Sequence, residues 1–133
     1  MSPDKERRIF ERWPDWFRNA ANIRISLMIW GFTCGDGWYT IIYQLCERIE
    51  PMVAALDDGG SAFEVLQVKQ KFGGLRFYTG GSTDEIEAAI ESASELSSKT
   101  CEACGNPGKN EADTTGWWRT LCASCQKTDQ PRW

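Results

Sequence analysis

The sequence predicts an α+β protein: helices packed on a small antiparallel sheet, followed by a C-terminal four-cysteine zinc finger of treble-clef or zinc-ribbon type. Three observations lead there. Apolar residues between Trp38 and Leu56 recur at helical spacing. A run of strand formers is broken by Gly73-Gly74, the mark of a hairpin. Two Cys-x-x-Cys pairs, Cys101/Cys104 and Cys122/Cys125, stand seventeen residues apart. Residues 1–98 read as the α+β body, and residues 99–133 as the finger, packed on that body as one unit.

Taken in order, Ser2 and Pro3 suit the N-cap and first position of a helix running through Ile9, Phe10 and Trp13 to a stop at Pro14. Trp13, Trp16 and Phe17 then form an aromatic cluster, expected to anchor this arm on the core. Residues 23–32 are rich in β-branched and aromatic types and are expected to form a strand. Cys34-Gly-Asp-Gly37 marks a turn, with Asp36 capping the next helix. That helix carries the stripe Trp38, Ile41, Ile42, Leu45, Cys46, Ile49, Val53 and Leu56, with Pro51 expected to kink or divide it. Cys46 on the stripe reads as a buried thiol, and Cys34 in the glycine turn as a more exposed one.

Asp57-Asp-Gly-Gly-Ser61 is a turn before the hairpin. Leu66, Val68, Phe72, Leu75 and Phe77 are expected to share its buried face, and Gln67, Lys69, Lys71, Arg76 and Tyr78 its polar, basic one. Ser82-x-x-Glu85 has the form of a capping box. The following helix should bury Ile86, Ala89, Ile90, Ala93 and Leu96 and expose an acidic ridge of Glu87, Glu91 and Glu95. In the last segment, a knuckle at Cys101/Cys104, a hairpin ending in residues 117–121 and a final turn or helix from Cys122 complete the chain.

A two-residue gap lets both sulfurs of a pair face one point, so the two pairs supply four thiolates for one structural Zn2+. Gly105 follows the first pair, where the turn needs a positive φ. Two structural disulfides, dithiol redox chemistry and an iron–sulfur cluster are the alternatives. Formal net charge is −4, and four thiolates on one dication bring it to about −6. That opposes general nucleic-acid binding, which rests on neutralising phosphate. The chain contains no histidine, and a site saturated by four cysteines has no open position for water, so catalysis is not expected. No apolar run is long enough to span a membrane. The charged start lacks the apolar stretch of a signal peptide, and a reducing cytoplasm is the expected compartment.

Two resemblances add to this reading. Cys-x-x-Cys-Gly, Trp-Arg and Leu-Cys-x-x-Cys within residues 101–125 resemble a GATA-type treble-clef finger. In that family a long helix and a basic tail read DNA; here residues 126–133 offer few basic charges and a proline, so the likeness is one of scaffold. Gln67-Val-Lys-Gln-Lys-Phe-Gly-Gly-Leu-Arg-Phe-Tyr78, with residues 100–108, residues 116–122 and, upstream, Cys34-Gly-Asp-Gly-Trp38, is similar to small zinc-binding proteins of phages, prophages and bacteria. This resemblance implies an accessory protein of a mobile element acting on a host system. The expected partner is a host protein complex, bound through Trp117, Trp118, Arg119, Lys69, Lys71, Arg76 and Tyr78. The alternative is a nucleic acid on the basic hairpin face, with Tyr78, Trp117 or Trp118 stacking on bases.

Overall fold

The computed structural model describes residues 1–128. The chain runs α1 (Pro3–Arg12), β1 (Phe32–Thr33), α2 (Tyr39–Ala54), β2 (Glu64–Lys71), β3 (Gly74–Gly80), α3 (Asp84–Ser97), β4 (Lys109–Ala112), β5 (Trp118–Leu121) and α4 (Ala123–Gln126). One sheet has the order β1-β2-β3, with β1 parallel to β2 and β2 antiparallel to β3; β4 and β5 form a separate antiparallel pair. This is the expected α+β architecture.

Helix α1 begins with Pro3 at its first position, as expected. It ends before Pro14, whose short 3-10 turn (Pro14–Phe17) puts Trp16 and Phe17 into the core. Trp13 stacks on Trp16 at 5.6 Å and meets Tyr43 edge-on at 5.0 Å, while Phe10 meets Phe17 at 5.0 Å. The aromatic arm is therefore an anchor. Each such side chain, removed from water, contributes roughly 1.5–3 kcal/mol.

Helix α2 buries Ile41, Ile42, Leu45, Cys46, Ile49 and Val53 along the predicted stripe and continues undivided past Pro51. It packs on α3, and α3 packs on β3. Val65, Val68, Leu75 and Phe77 complete one continuous core with these helices. At the outer edge of β3, the Leu75 N–H donates to Ser97 Oγ and the Leu75 carbonyl accepts from Ser94 Oγ.

Several local expectations are corrected. Residues 23–32 do not form a strand, and only Phe32 and Thr33 pair with β2. A 3-10 turn at Met28–Trp30 and Gly31 at φ +71° break the run. Ser26 and Met28 point inward while Ile23, Ile25, Leu27, Ile29 and Trp30 stay exposed. In β2, the register shifts between Val65 and Gln67. Val65 takes the buried place assigned to Leu66, whose carbonyl instead accepts from Leu27 N–H and Ser26 Oγ. The hairpin loop is Phe72-Gly73 rather than Gly73-Gly74: Lys71 pairs with Gly74, and both loop residues have positive φ (54° and 75°). Phe72 thus leaves the buried face and is 66% exposed. Thr83, not Ser82, caps α3 by accepting from Ile86 N–H. Leu96 lies exposed, and Ser97 takes the buried position.

Asp36 does not cap α2. Its carboxylate accepts from Ser2 N–H at 2.7 Å and pairs with Lys5 at 3.3 Å, tying α1 to the glycine turn. Burial pushes this carboxyl up, but the Ser2 N–H and the Lys5 ammonium outweigh burial and hold it below the usual range. The stability it contributes is whole above the unfolded value of about 3.9 and is lost as pH falls through the lower folded value. Asp36→Asn should therefore melt below the wild type at neutral pH, with the two melting temperatures converging as pH falls through the lowered folded value. A gap that stays constant with pH contradicts this role.

Candidate metal centre

The four cysteines of the two pairs come together. The ligand atoms of Cys101, Cys104, Cys122 and Cys125 all lie within 4.8 Å of one another, and the sulfurs of Cys104 and Cys122 are 3.6 Å apart. A tetrahedral ion holding thiolates at ~2.3 Å sets its sulfurs about 3.8 Å apart, so this set fits one such ion. All six cysteines are unbridged.

Each pair is shaped by its own turn. The first closes through Gly105 N–H to the Cys101 carbonyl (2.8 Å), and Gly105 has the left-handed φ of +84° that the sequence anticipates. The second sits at the start of α4, where Cys125 N–H donates to Cys122 Sγ at 3.4 Å. That backbone bond holds the Cys122 thiol down at about 7, whereas the hydrogen bond to Cys122 pushes Cys125 up to about 12. Strands β4 and β5 join the pairs, as the sequence implied. The helix that carries the last cysteine ends at Gln126; the proline-bearing tail weighed against DNA reading lies, from residue 129 on, outside the described residues.

Two glycines of the body receive this segment, and sequence reasoning gave neither that role. Gly37 N–H donates to the Glu102 carbonyl at 2.8 Å. A Cβ on Gly37 would lie 2.1 Å from the Cys101 carbonyl oxygen and 2.6 Å from Gly105 N. Next to it, buried Trp38 donates its indole N–H to the Thr100 carbonyl at 2.8 Å. Gly73, at the hairpin tip, lies against β4–β5: a Cβ there would come 2.4 Å from Asn110 Nδ2 and 3.0 Å from the Arg119 carbonyl carbon. Thr120 Oγ1 donates to the Gly73 carbonyl, and Asn110 Nδ2 to that of Phe72. The signal was present in Cys34-Gly-Asp-Gly-Trp38 and Phe72-Gly-Gly74, but only as turn chemistry.

The remaining candidate residues fall into groups. Lys69 pairs directly across the ribbon with Arg76, and Gln67 with Tyr78, on the outer face. Lys69 Nζ lies 5.8 Å from the Tyr78 ring, and Lys71 Nζ 5.8 Å from that of Phe72. Trp117 and Trp118, each 42% exposed, line a groove of about 260 Å³ with Gln70, Lys71 and Phe72. Arg119 lies instead with Lys109, Glu111 and Leu121 in a separate depression, which Trp117 also borders. The tryptophan bonded to the knuckle backbone is Trp38, whereas Trp117 and Trp118 remain half-open to solvent.

Cys34 is fully buried, contrary to expectation, because β1 and α1 enclose the glycine turn; its carbonyl accepts from the Met1 amino group. Burial pushes its thiol up to about 12 and also raises that of Cys46. Among the described residues, no helix is long and apolar enough to cross a membrane. No family model, curated protein or solved structure matches this chain.

Two outcomes follow from this geometry. Gly37→Ala should lower stability by about 1–3 kcal/mol through overpacking, and chelation should abolish the difference because the opposing knuckle no longer holds its shape. Equal melting of wild type and variant before chelation argues against the close approach. In the folded, metal-loaded protein, Cys34 and Cys46 should resist iodoacetamide at neutral pH and react only in denaturant; native alkylation of either contradicts their burial.

Proposed function

We propose that the protein is a small, non-catalytic zinc-binding protein that acts by stoichiometric binding to a protein complex. The four-thiolate cluster supports zinc as the ion, because Zn2+ takes four sulfurs in a closed tetrahedron. Four protein ligands leave no position for water or substrate, so the metal shapes the fold and performs no reaction. Assembly of such a site supplies about 10–16 kcal/mol of apparent free energy, enough to order a segment with little apolar core of its own.

The observation that carries the binding role is the grouping of Phe72, Trp117 and Trp118 on one surface where the ribbon tip meets the zinc segment. Exposed aromatics on a rigid, metal-fixed frame suit a binding anchor, since Trp and other large rings dominate the energetics of protein interfaces. The likeness of residues 67–78 and the cysteine segment to phage and prophage proteins supports a host complex, such as a defence or transcription system, as the target, met in the host cytoplasm. The second reading, nucleic-acid binding, draws on Lys69 facing Arg76 beside Tyr78, with Lys71 on the same face. Three cations on a chain of net charge −4 would hold phosphate weakly and lose it with salt.

Elemental analysis should find one zinc per chain, and Cys104→Ser or Cys122→Ser should lose the metal and unfold at least the C-terminal segment. Cystines, an iron cluster, or full metal content in either variant would overturn the zinc assignment. Tagged protein expressed in a bacterial host should retain one complex at near-equal stoichiometry. Trp117→Ala/Trp118→Ala, which keeps its zinc, should lose that complex. Recovery of the protein alone, or undiminished capture by the variant, defeats the binding role.

A further inference from the structure

We infer that the groove between the β2–β3 tip and the β4–β5 hairpin docks an acidic peptide segment through one bulky apolar side chain. This rests on the protein-binding reading above and specifies the chemistry of its partner.

Size is the first argument. At about 260 Å³ the groove lies below the ~300–1,000 Å³ of sites that enclose a cofactor or drug-sized ligand. It has room for one large side chain, and its walls are the rings of Phe72, Trp117 and Trp118.

Phe72 provides the second argument. Its φ of +54° is left-handed, which is unfavourable for a residue with a side chain and almost free for a glycine. Its ring is 66% exposed and adds little to the core. Folding alone would favour glycine at this position. A strained backbone presenting an exposed ring points to a use outside the fold.

Charge is the third. Six ion pairs link described residues, and none involves Lys69, Lys71 or Arg76. Lys71 stands at the rim of the groove, and Lys69 and Arg76 continue the basic face along the ribbon. In a chain of net charge −4, such a local set of cations is complementary to an acidic segment. A phosphate backbone fits less well. Glu91 and Glu95 of α3 share a second depression with Lys71, Phe72 and Arg76, so any anion that extends toward α3 meets repulsion, and a long polyanion meets the most. A short acidic peptide with one anchor needs only the patch itself.

The test uses the full, zinc-loaded chain labelled with 15N and three probes of similar length. One is a peptide of glutamates and aspartates around a central tryptophan; the second replaces every acid with lysine; the third is an oligothymidylate. The acidic peptide should shift the indole signals of Trp117 and Trp118 and the amides of Lys71 and Phe72, leaving the indoles of Trp13 and Trp16 in place. Lys71→Glu, at an exposed position, should weaken binding at least tenfold. Phe72→Gly, which relieves the backbone and therefore folds, should do the same. Equal shifts with the lysine peptide, or undiminished affinity in Lys71→Glu, would overturn the acidic occupant, and undiminished affinity in Phe72→Gly would overturn the apolar anchor. Tighter binding of oligothymidylate at these signals would overturn both readings in favour of nucleic acid. If no probe moves the groove signals, the inference fails, and capture of the host complex decides the broader reading independently.

Discussion

The architecture depends on backbone meeting backbone at Gly37 and Gly73. The C-terminal segment buries few side chains of its own, chiefly Cys101, Glu102 and Thr120, and leaves Trp117 and Trp118 half-open. It is held from within by the cysteine cluster and from outside by backbone that approaches Gly37 too closely for a Cβ and by the Asn110 amide and Arg119 backbone packed against Gly73. Hydrogen bonds at the two contacts run in opposite directions. The body donates through Gly37 N–H and the Trp38 indole, whereas at the ribbon tip the β4–β5 hairpin donates to body carbonyls. The cysteine cluster and the body therefore bear on the same short stretch of chain from two sides, and the orientation of β4–β5 relative to the ribbon follows from both.

Features set by covalent spacing or helical period were legible in the sequence. Cysteine spacing located the cluster, and the recurrence of apolar residues located the buried stripe of α2, because both depend on neighbours along the chain. Positions decided by distant partners were not legible. Cys34 resembled an exposed turn thiol until β1 and α1 closed over it. Asp36 has the composition of a cap, yet the first turn of α1 offered it an N–H and an ammonium. Residues 23–32 have strand composition, but the 3-10 turn at Met28–Trp30 and the positive φ of Gly31 leave only Phe32 and Thr33 paired with β2. The turn slipped by one residue because Gly73 is needed against Asn110 and Arg119, which places Phe72 in the other left-handed position.

Aromatic side chains divide between two tasks. Trp13, Trp16 and Trp38 are buried with Phe10, Phe17, Phe32 and Phe63 nearby, and they lock the N-terminal arm and the glycine turn to the body. Trp30, Phe72, Tyr78, Trp117 and Trp118 remain exposed, and all but Trp30 belong to the two hairpins. This partition explains how a modest core coexists with so many large rings. The buried set is an ordinary hydrophobic anchor, and the exposed set, Trp30 apart, lies on the two hairpins.

The two serines of α3 that reach Leu75 have an effect beyond local satisfaction. A bare outer edge on β3 would be a template for a neighbouring chain, and repeated pairing of that kind leads to fibrils. Ser94 and Ser97 occupy both hydrogen-bonding groups of Leu75, so the end of the ribbon nearest the tip cannot recruit a foreign strand there. Strand addition is thereby blocked at that point of the β3 edge, beside the exposed rings of the tip.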